Sequence, residues 1–313
     1  MSNNLSPSQK WWMDLIRCPW CRDIPFRADL SMSINCESCK SSFEFKNNEV
    51  EWVSEGHKKK RYDAPRGKID FFKRVLNPLS NPLLPLSYWS KFRTEQYYQR
   101  TLNDKSLAKK WVEHYLSGLN LPKNALILDH GCGRGRNVGL LNQLGYQVAG
   151  QDMTSSSWWG NLMDSGFQIV PPDCEGLPWK NSAFDLINDS LVVSYIPVKI
   201  FEVLIKEIRR VLKPGGYWVI LAANNKSYGQ KNFQIKNLLP LDSMRSLAKN
   251  NGFKEIDVSY EGFYAPYFPL FINFIRKQCG PWNFDLSDYE SWLAEQTPPE
   301  KRGLWLMRLR RGD

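Results

Sequence analysis

Long apolar runs are missing from this chain. None approaches the ~18 residues that a membrane-spanning helix needs, so no transmembrane segment is expected. The opening, Met1-Ser-Asn-Asn-Leu-Ser-Pro-Ser-Gln-Lys10, lacks a basic start followed by an apolar core and does not read as a secretory signal. Cysteine is sparse, at seven residues of 313, and four of the seven fall in paired spacing. That usage suits a metal in a reducing compartment better than a disulfide framework, so the expected location is cytoplasmic. An apolar content of 42% excludes wholesale disorder. The length accommodates one large domain and a small one. A formal net charge of +10 points mildly toward polyanions, but many soluble enzymes are as basic.

The paired cysteines are Cys18-Pro-Trp-Cys21 and Cys36-Glu-Ser-Cys39, two C-x-x-C knuckles separated by fourteen residues. Each knuckle places two thiolates on one face of a tight turn, and two knuckles complete a tetrahedron around zinc. Four thiolates leave no open coordination position, so the expected metal is structural. Phe26–Asn35 and Ser42–Val53 partly alternate apolar and polar residues, as short antiparallel strands would. A unit of ~50 residues buries little surface, so the metal contributes much of its stability. Trp11, Trp12 and Trp20 either pack this small core or stack bases, and packing is the commoner use.

The expected organisation is a zinc ribbon over 1–54, a basic hinge and helical cap over 55–118, and a larger domain over 119–313. The hinge carries His57-Lys-Lys-Lys-Arg61, Arg66, Lys68, Lys73 and Arg74, followed by Pro78, Pro82 and Pro85, which break regular structure. Tyr88–Leu116 reads as one or two amphipathic helices, with Trp111, Val112 and Tyr115 on one face.

The larger domain is organised around Ala125-Leu-Ile-Leu-Asp-His-Gly-Cys-Gly-Arg-Gly-Arg-Asn137. A short apolar run ending in alternating glycines reads as a buried parallel strand, a tight turn and a helix start. This is the geometry of a nucleotide-type cofactor site at the end of a first strand. The sixth position counted from Gly131 is Arg136, which departs from the dinucleotide fingerprint. Strand and helix then alternate. Helix one stops at Gly145, strand two is Tyr146–Gly150, and Asp152 follows where a ribose can donate two hydroxyls, or where a helix cap would sit. Strand three is Phe167–Val170 and strand five Tyr217–Ala222, with a helix over Leu241–Asn251, strand six over Gly252–Ser259 and a last antiparallel strand over Gly303–Arg310. Tyr260, Phe263, Tyr264, Tyr267, Phe268, Phe271, Phe274 and Trp282 mark an insertion at about 260–300, read as a lid over the substrate.

Asp129-His-Gly-Cys-Gly-Arg-Gly135 resembles motif I of class I S-adenosylmethionine (SAM) methyltransferases. Pro171-Pro-Asp-Cys-Glu-Gly-Leu-Pro-Trp179, Ser182–Ser190 and Glu207–Gly216 resemble that family's later segments, in order. The resemblance implies an α/β, Rossmann-like sheet, mostly parallel with an antiparallel last strand. It implies SAM held by Asp129, Gly131, Gly133, Gly135, Asp152, Asp173, the backbone of Cys174, and Asn188. Catalytic candidates at the fourth strand are Asp189 and Tyr195, Tyr195 standing where relatives often carry histidine. Asn188-Asp189-Ser190-Leu191 departs from [DN]-P-P-[YF], which disfavours exocyclic-amine methylation. Cys132, Cys174 and Cys279 are poorly placed for a cysteine nucleophile. The expected activity is methyl transfer to a small, partly apolar acceptor. An RNA methyltransferase gripping its substrate with ribbon and hinge is a second reading, and a non-catalytic partner-binding protein a third.

Overall fold

A computed structural model describes residues 11–21, 26–29, 33–40, 42–46, 48–52, 113–153, 155–162, 164–170, 176–196, 198–226, 239–261 and 295–313. The basic hinge, most of the helical cap, Asp173, Cys174 and the aromatic insertion beyond Glu261 lie outside these residues. Among the described residues, no helix is long and apolar enough to cross a membrane.

Among the described residues, eleven strands form one sheet. They are β1 (Phe26–Asp29), β2 (Ser33–Cys36), β3 (Ser42–Lys46), β4 (Glu49–Glu51), β5 (Leu126–His130), β6 (Gln147–Asp152), β7 (Phe167–Ile169), β8 (Phe184–Ser190), β9 (Leu212–Ala223), β10 (Phe253–Glu261) and β11 (Leu304–Arg311). Their spatial order is β1-β2-β3-β4-β7-β6-β5-β8-β9-β11-β10. From β4 to β9 all neighbours are parallel, and β11 runs antiparallel between β9 and β10. From β5 the chain builds outward to β6 and β7, then returns to β8 and β9 on the other side. The switch point therefore lies between β5 and β8, where ligands of open parallel sheets bind.

Helices flanking the sheet among the described residues include α1 (Arg136–Gln143), α2 (Val198–Val211) and α3 (Leu241–Asn250). On α2, Phe201, Ile205 and Ile208 recur at i, i+4 and i+7, and all three are buried. They pack on one sheet face with Leu128, Ile187, Trp218 and Ile220, while α1 buries Val138, Leu140 and Leu141 against Ile127, Val148 and Phe167 on the other. Burying each such side chain contributes about 1.5–3 kcal/mol, so both layers are held by the hydrophobic effect. The Lys213–Gly216 turn is absorbed into β9 as an irregularity, pairing passing from Phe184–Leu212 to Leu186–Tyr217.

The first four strands form the expected antiparallel meander, and its last strand joins the main sheet edge-on. β4 pairs in parallel with β7 through Glu49–Phe167, Val50–Gln168 and Glu51–Ile169. Asn48 is almost completely buried, and its side-chain amide donates to the carbonyls of Trp159, Leu162 and Ser165 at 3.3, 3.0 and 2.8 Å. Among the described residues between β7 and β8 there is no helix. The segment around Trp12 covers that face instead: Arg17 N–H donates to the Pro178 carbonyl, Lys180 N–H to that of Leu15, and Ile16 bridges Trp179. A Cβ on Gly166 would stand 1.9 Å from the Trp12 ring, so the indole lies directly on the backbone. Trp12 is thus a packing residue.

Candidate functional site

The site grows from the carboxyl ends of β5, β6 and β8. After His130 the chain turns at Gly131 with φ +69°, and a Cβ there would stand 2.0 Å from Val192 Cγ2. Both the conformation and the close approach to the loop after β8 require glycine. The N–H groups of Gly131 and Cys132 donate to the Gln151 carbonyl at 2.7 and 2.9 Å. Asp152 completes the tie: Oδ2 accepts from Gly133 N–H at 2.8 Å and Oδ1 from Met153 N–H at 2.7 Å. Trp159 Nε1 donates to the Gly133 carbonyl at 3.0 Å, and its ring stacks on Phe167. The glycine loop is therefore pinned to the end of β6, with Gly133 facing open space.

Asp129 lies beneath this loop, 1% exposed. Asn188 Nδ2, its register partner on β8, donates to Oδ1 at 2.6 Å, while Oδ2 has no partner. Burial raises the Asp129 carboxyl to about 7, with the Asn188 and Asn137 amides pulling the other way. A buried carboxylate with one oxygen lacking a hydrogen-bond partner would suit a cation. It fits the ammonium and sulfonium end of SAM, which carries no phosphate to demand a pyrophosphate cradle. Asp152 is half-buried at the end of β6, beside the glycine loop that it ties down.

The residues proposed for catalysis are placed differently from one another. Asp189 is fully buried, with Oδ2 3.1 Å from His130 Nδ1 and Oδ1 unpaired. Tyr195 closes the short turn Val193–Tyr195 at the end of the loop after β8, and its side chain lies outside the described residues. His130 was not selected by sequence reasoning. Its partnership with Asp189 depends on β5 and β8 being neighbours in register, which no local pattern reveals. Cys132 is buried, and burial above all, with Asp129 and Asp152 adding, holds its thiol well above the ordinary range. A thiol held neutral is a poor nucleophile, in keeping with the sequence reading.

The four cysteines Cys18, Cys21, Cys36 and Cys39 converge, every sulfur within 4.8 Å of the others and none in a disulfide. Cys18 and Cys39 are 3.7 Å apart at sulfur, and Cys21 and Cys36 3.3 Å. A tetrahedron with Zn–S arms of about 2.3 Å has edges of about 3.8 Å, so the cluster fits a structural zinc. Burial raises the Cys18 and Cys36 thiols, a cost that a bound cation reverses by stabilising the thiolates.

Strand order and glycine loop together define a Rossmann-like sheet of the class that takes a nucleotide-type cofactor at its switch point. Residues 128–220 match the family described as a methyltransferase domain. A sterol 4-C-methyltransferase of Caenorhabditis elegans is 30% identical over 114 residues, 34% of this chain and 34% of that protein. A demethylmenaquinone methyltransferase of Staphylococcus epidermidis is 30% identical over 140 residues, 40% of this chain and 55% of that protein. The chain thus spans between about a third and about half of these relatives. A solved Burkholderia thailandensis 1,6-didemethyltoxoflavin-N1-methyltransferase, with bound 1,6-didemethyltoxoflavin and S-adenosylhomocysteine, has a TM-score of 0.45 at 15% identity, covering 72% of this chain and 87% of that one.

Proposed function

We propose that this protein transfers a methyl group from SAM to a small, partly apolar acceptor. The observation that carries the reading is the buried, half-paired carboxylate of Asp129 under a glycine loop at the switch point. Asp129 would hold the cationic end of SAM, and Gly131, Gly133 and Gly135 would let the backbone approach its methionine part. Asp152 would accept the ribose hydroxyls, Asp173 and the Cys174 backbone would meet the adenine, and Asn188 would line the methionine end. When bound, SAM supplies a methyl on a sulfonium, already a good leaving group, so the protein's part is mainly positioning and exclusion of water.

The acceptor class is supported by two further observations. Both curated relatives are named for acceptors with large apolar surface, a sterol and demethylmenaquinone. Exposed Met153 and Leu191 stand on the loops after β6 and β8, offering apolar contact beside the glycine loop. The four-cysteine ribbon, holding zinc, would brace the outer edge of the sheet. A screen of metabolite and RNA extracts with methyl-labelled SAM tests this reading. Label in small apolar compounds is expected; label in RNA alone would overturn the acceptor class, and no SAM binding by calorimetry would overturn the activity.

A further inference from the structure

Two charged-type side chains face each other across the switch point, and the cofactor contacts above use neither. His130 is the last residue of β5, Asp189 the penultimate residue of β8, and they are register partners. Asp189 Oδ2 lies 3.1 Å from His130 Nδ1. The Asp189 side chain is 0% exposed, whereas that of His130 keeps 9% of its surface. Among the described residues the His130 side chain makes no other hydrogen bond, and it is the member of the pair that reaches solvent.

A purely structural reading explains this poorly. A buried histidine kept for packing normally satisfies both ring nitrogens, and here only one has a hydrogen-bond partner among the described residues. Asp189 Oδ1 is buried with no partner, which is destabilising, and an apolar pair of similar size would pack these strands without that cost. The carboxylate also has a definite effect on the ring. Accepting from Nδ1–H fixes the tautomer, leaving the lone pair on Nε2. That is how a histidine is prepared to take a proton.

We infer that His130 and Asp189 form a proton-removing pair for the methyl acceptor, which is therefore a compound that loses a proton on methylation, such as a phenol or an enol. The inference rests on the proposed methyl transfer and deepens it. The acceptor X–H bond breaks and its proton passes to His130 Nε2. The freed electron pair forms the bond to the methyl carbon as the methyl–sulfur bond breaks, its pair remaining on sulfur. His130 becomes an imidazolium opposite the Asp189 carboxylate and returns the proton to water. His130 is the catalytic residue and Asp189 a positioning residue acting through it. The pair also gives Asp189 a route to the chemistry that its own burial denies it.

Two bicyclic probes separate the possibilities: 1-naphthol, which loses a proton on methylation, and quinoline, which does not. The full chain is tested beside His130→Gln and Asp189→Asn, with SAM affinity read by calorimetry and turnover from labelled SAM. We expect methylation of 1-naphthol, a fall in kcat of about 100-fold or more in His130→Gln and about 10-fold or more in Asp189→Asn, and SAM Kd and acceptor KM within about three-fold of the parent. Turnover unchanged in His130→Gln, SAM affinity lost with it, or a parent that binds SAM yet methylates quinoline alone or neither probe, each overturns the pair. A parent that does not bind SAM overturns the proposed function itself. Should His130→Gln fail to fold, nitrogen NMR of the parent decides. The chain has three histidines, so His57→Gln and His114→Gln assign the His130 ring by elimination. A non-protonated Nε2 that shifts on adding 1-naphthol with S-adenosylhomocysteine is expected; an Nε2–H ring, or no shift, refutes the pair.

Discussion

Replacing Asp129 with Asn tests the most strained charge in the site. The carboxyl is raised from 3.8 to about 7, principally by burial. An acid whose folded pKa is raised favours the folded state while it is protonated. That contribution is complete below the unfolded value and is lost as pH rises through the folded one. Between pH 5 and the pKa of about 7 the parent loses about 1.4 kcal/mol per unit, so near 3 kcal/mol by pH 8. The amide of Asp129→Asn cannot ionise, yet its carbonyl still accepts from Asn188 in the place of Oδ1. In chemical denaturation the variant should therefore gain on the parent by about 3 kcal/mol between pH 5 and pH 8, other titrations cancelling in the difference. A gap that stays flat across this range would refute the reasoning. As the proposed partner of the cationic end of SAM, the same carboxyl would release its proton on SAM binding. Calorimetry at pH 6 in two buffers of different ionisation enthalpy should find up to one proton leaving per SAM bound, and Asp129→Asn should abolish it.

Asp152→Ala should weaken SAM binding about ten-fold or more, since it removes the proposed ribose acceptor and the tie to Gly133 N–H, while the far-ultraviolet circular dichroism is kept. Metal analysis should find one zinc per chain, lost in Cys18→Ser together with a lower melting temperature; a zinc-free native protein would remove the ribbon assignment. Asn48→Ala should destabilise by about 1–2 kcal/mol in denaturant, because its buried amide donates to the Trp159, Leu162 and Ser165 carbonyls, of which the first two keep a backbone N–H partner without it. A change under ~0.5 kcal/mol would mean that water replaces the amide. RNA should not be retained at low salt, where any phosphate-driven contact is strongest.

The glycine loop was legible in the sequence because it is punctuated by residue types that do one thing. Gly131 turns where no Cβ fits, and the apolar run before it can only be a buried strand. The cysteine knuckles are legible for the same reason, since thiolate spacing is a local property. What stayed hidden is what depends on strand order. β4 is a three-residue strand with no signature, and its pairing with β7 joins residues more than a hundred positions apart. The His130–Asp189 contact likewise exists only once β5 and β8 are neighbours. Trp12 could have been a base-stacking residue, and the closeness of its ring to Gly166 makes it core.

The junction of β4 with β7 also sets a clock on the protein's birth. Glu49 leaves the ribosome 118 residues before its partner Phe167, which at about 5–20 residues per second is roughly 6–24 s. Throughout that interval the ribbon presents an open strand edge to everything around it, the situation in which exposed strands recruit wrong partners. A metal that closes the two knuckles early would hold the meander in shape until β7 arrives. Zinc would then matter most to the nascent chain, and its shortage would show as lost yield before it showed as lost activity.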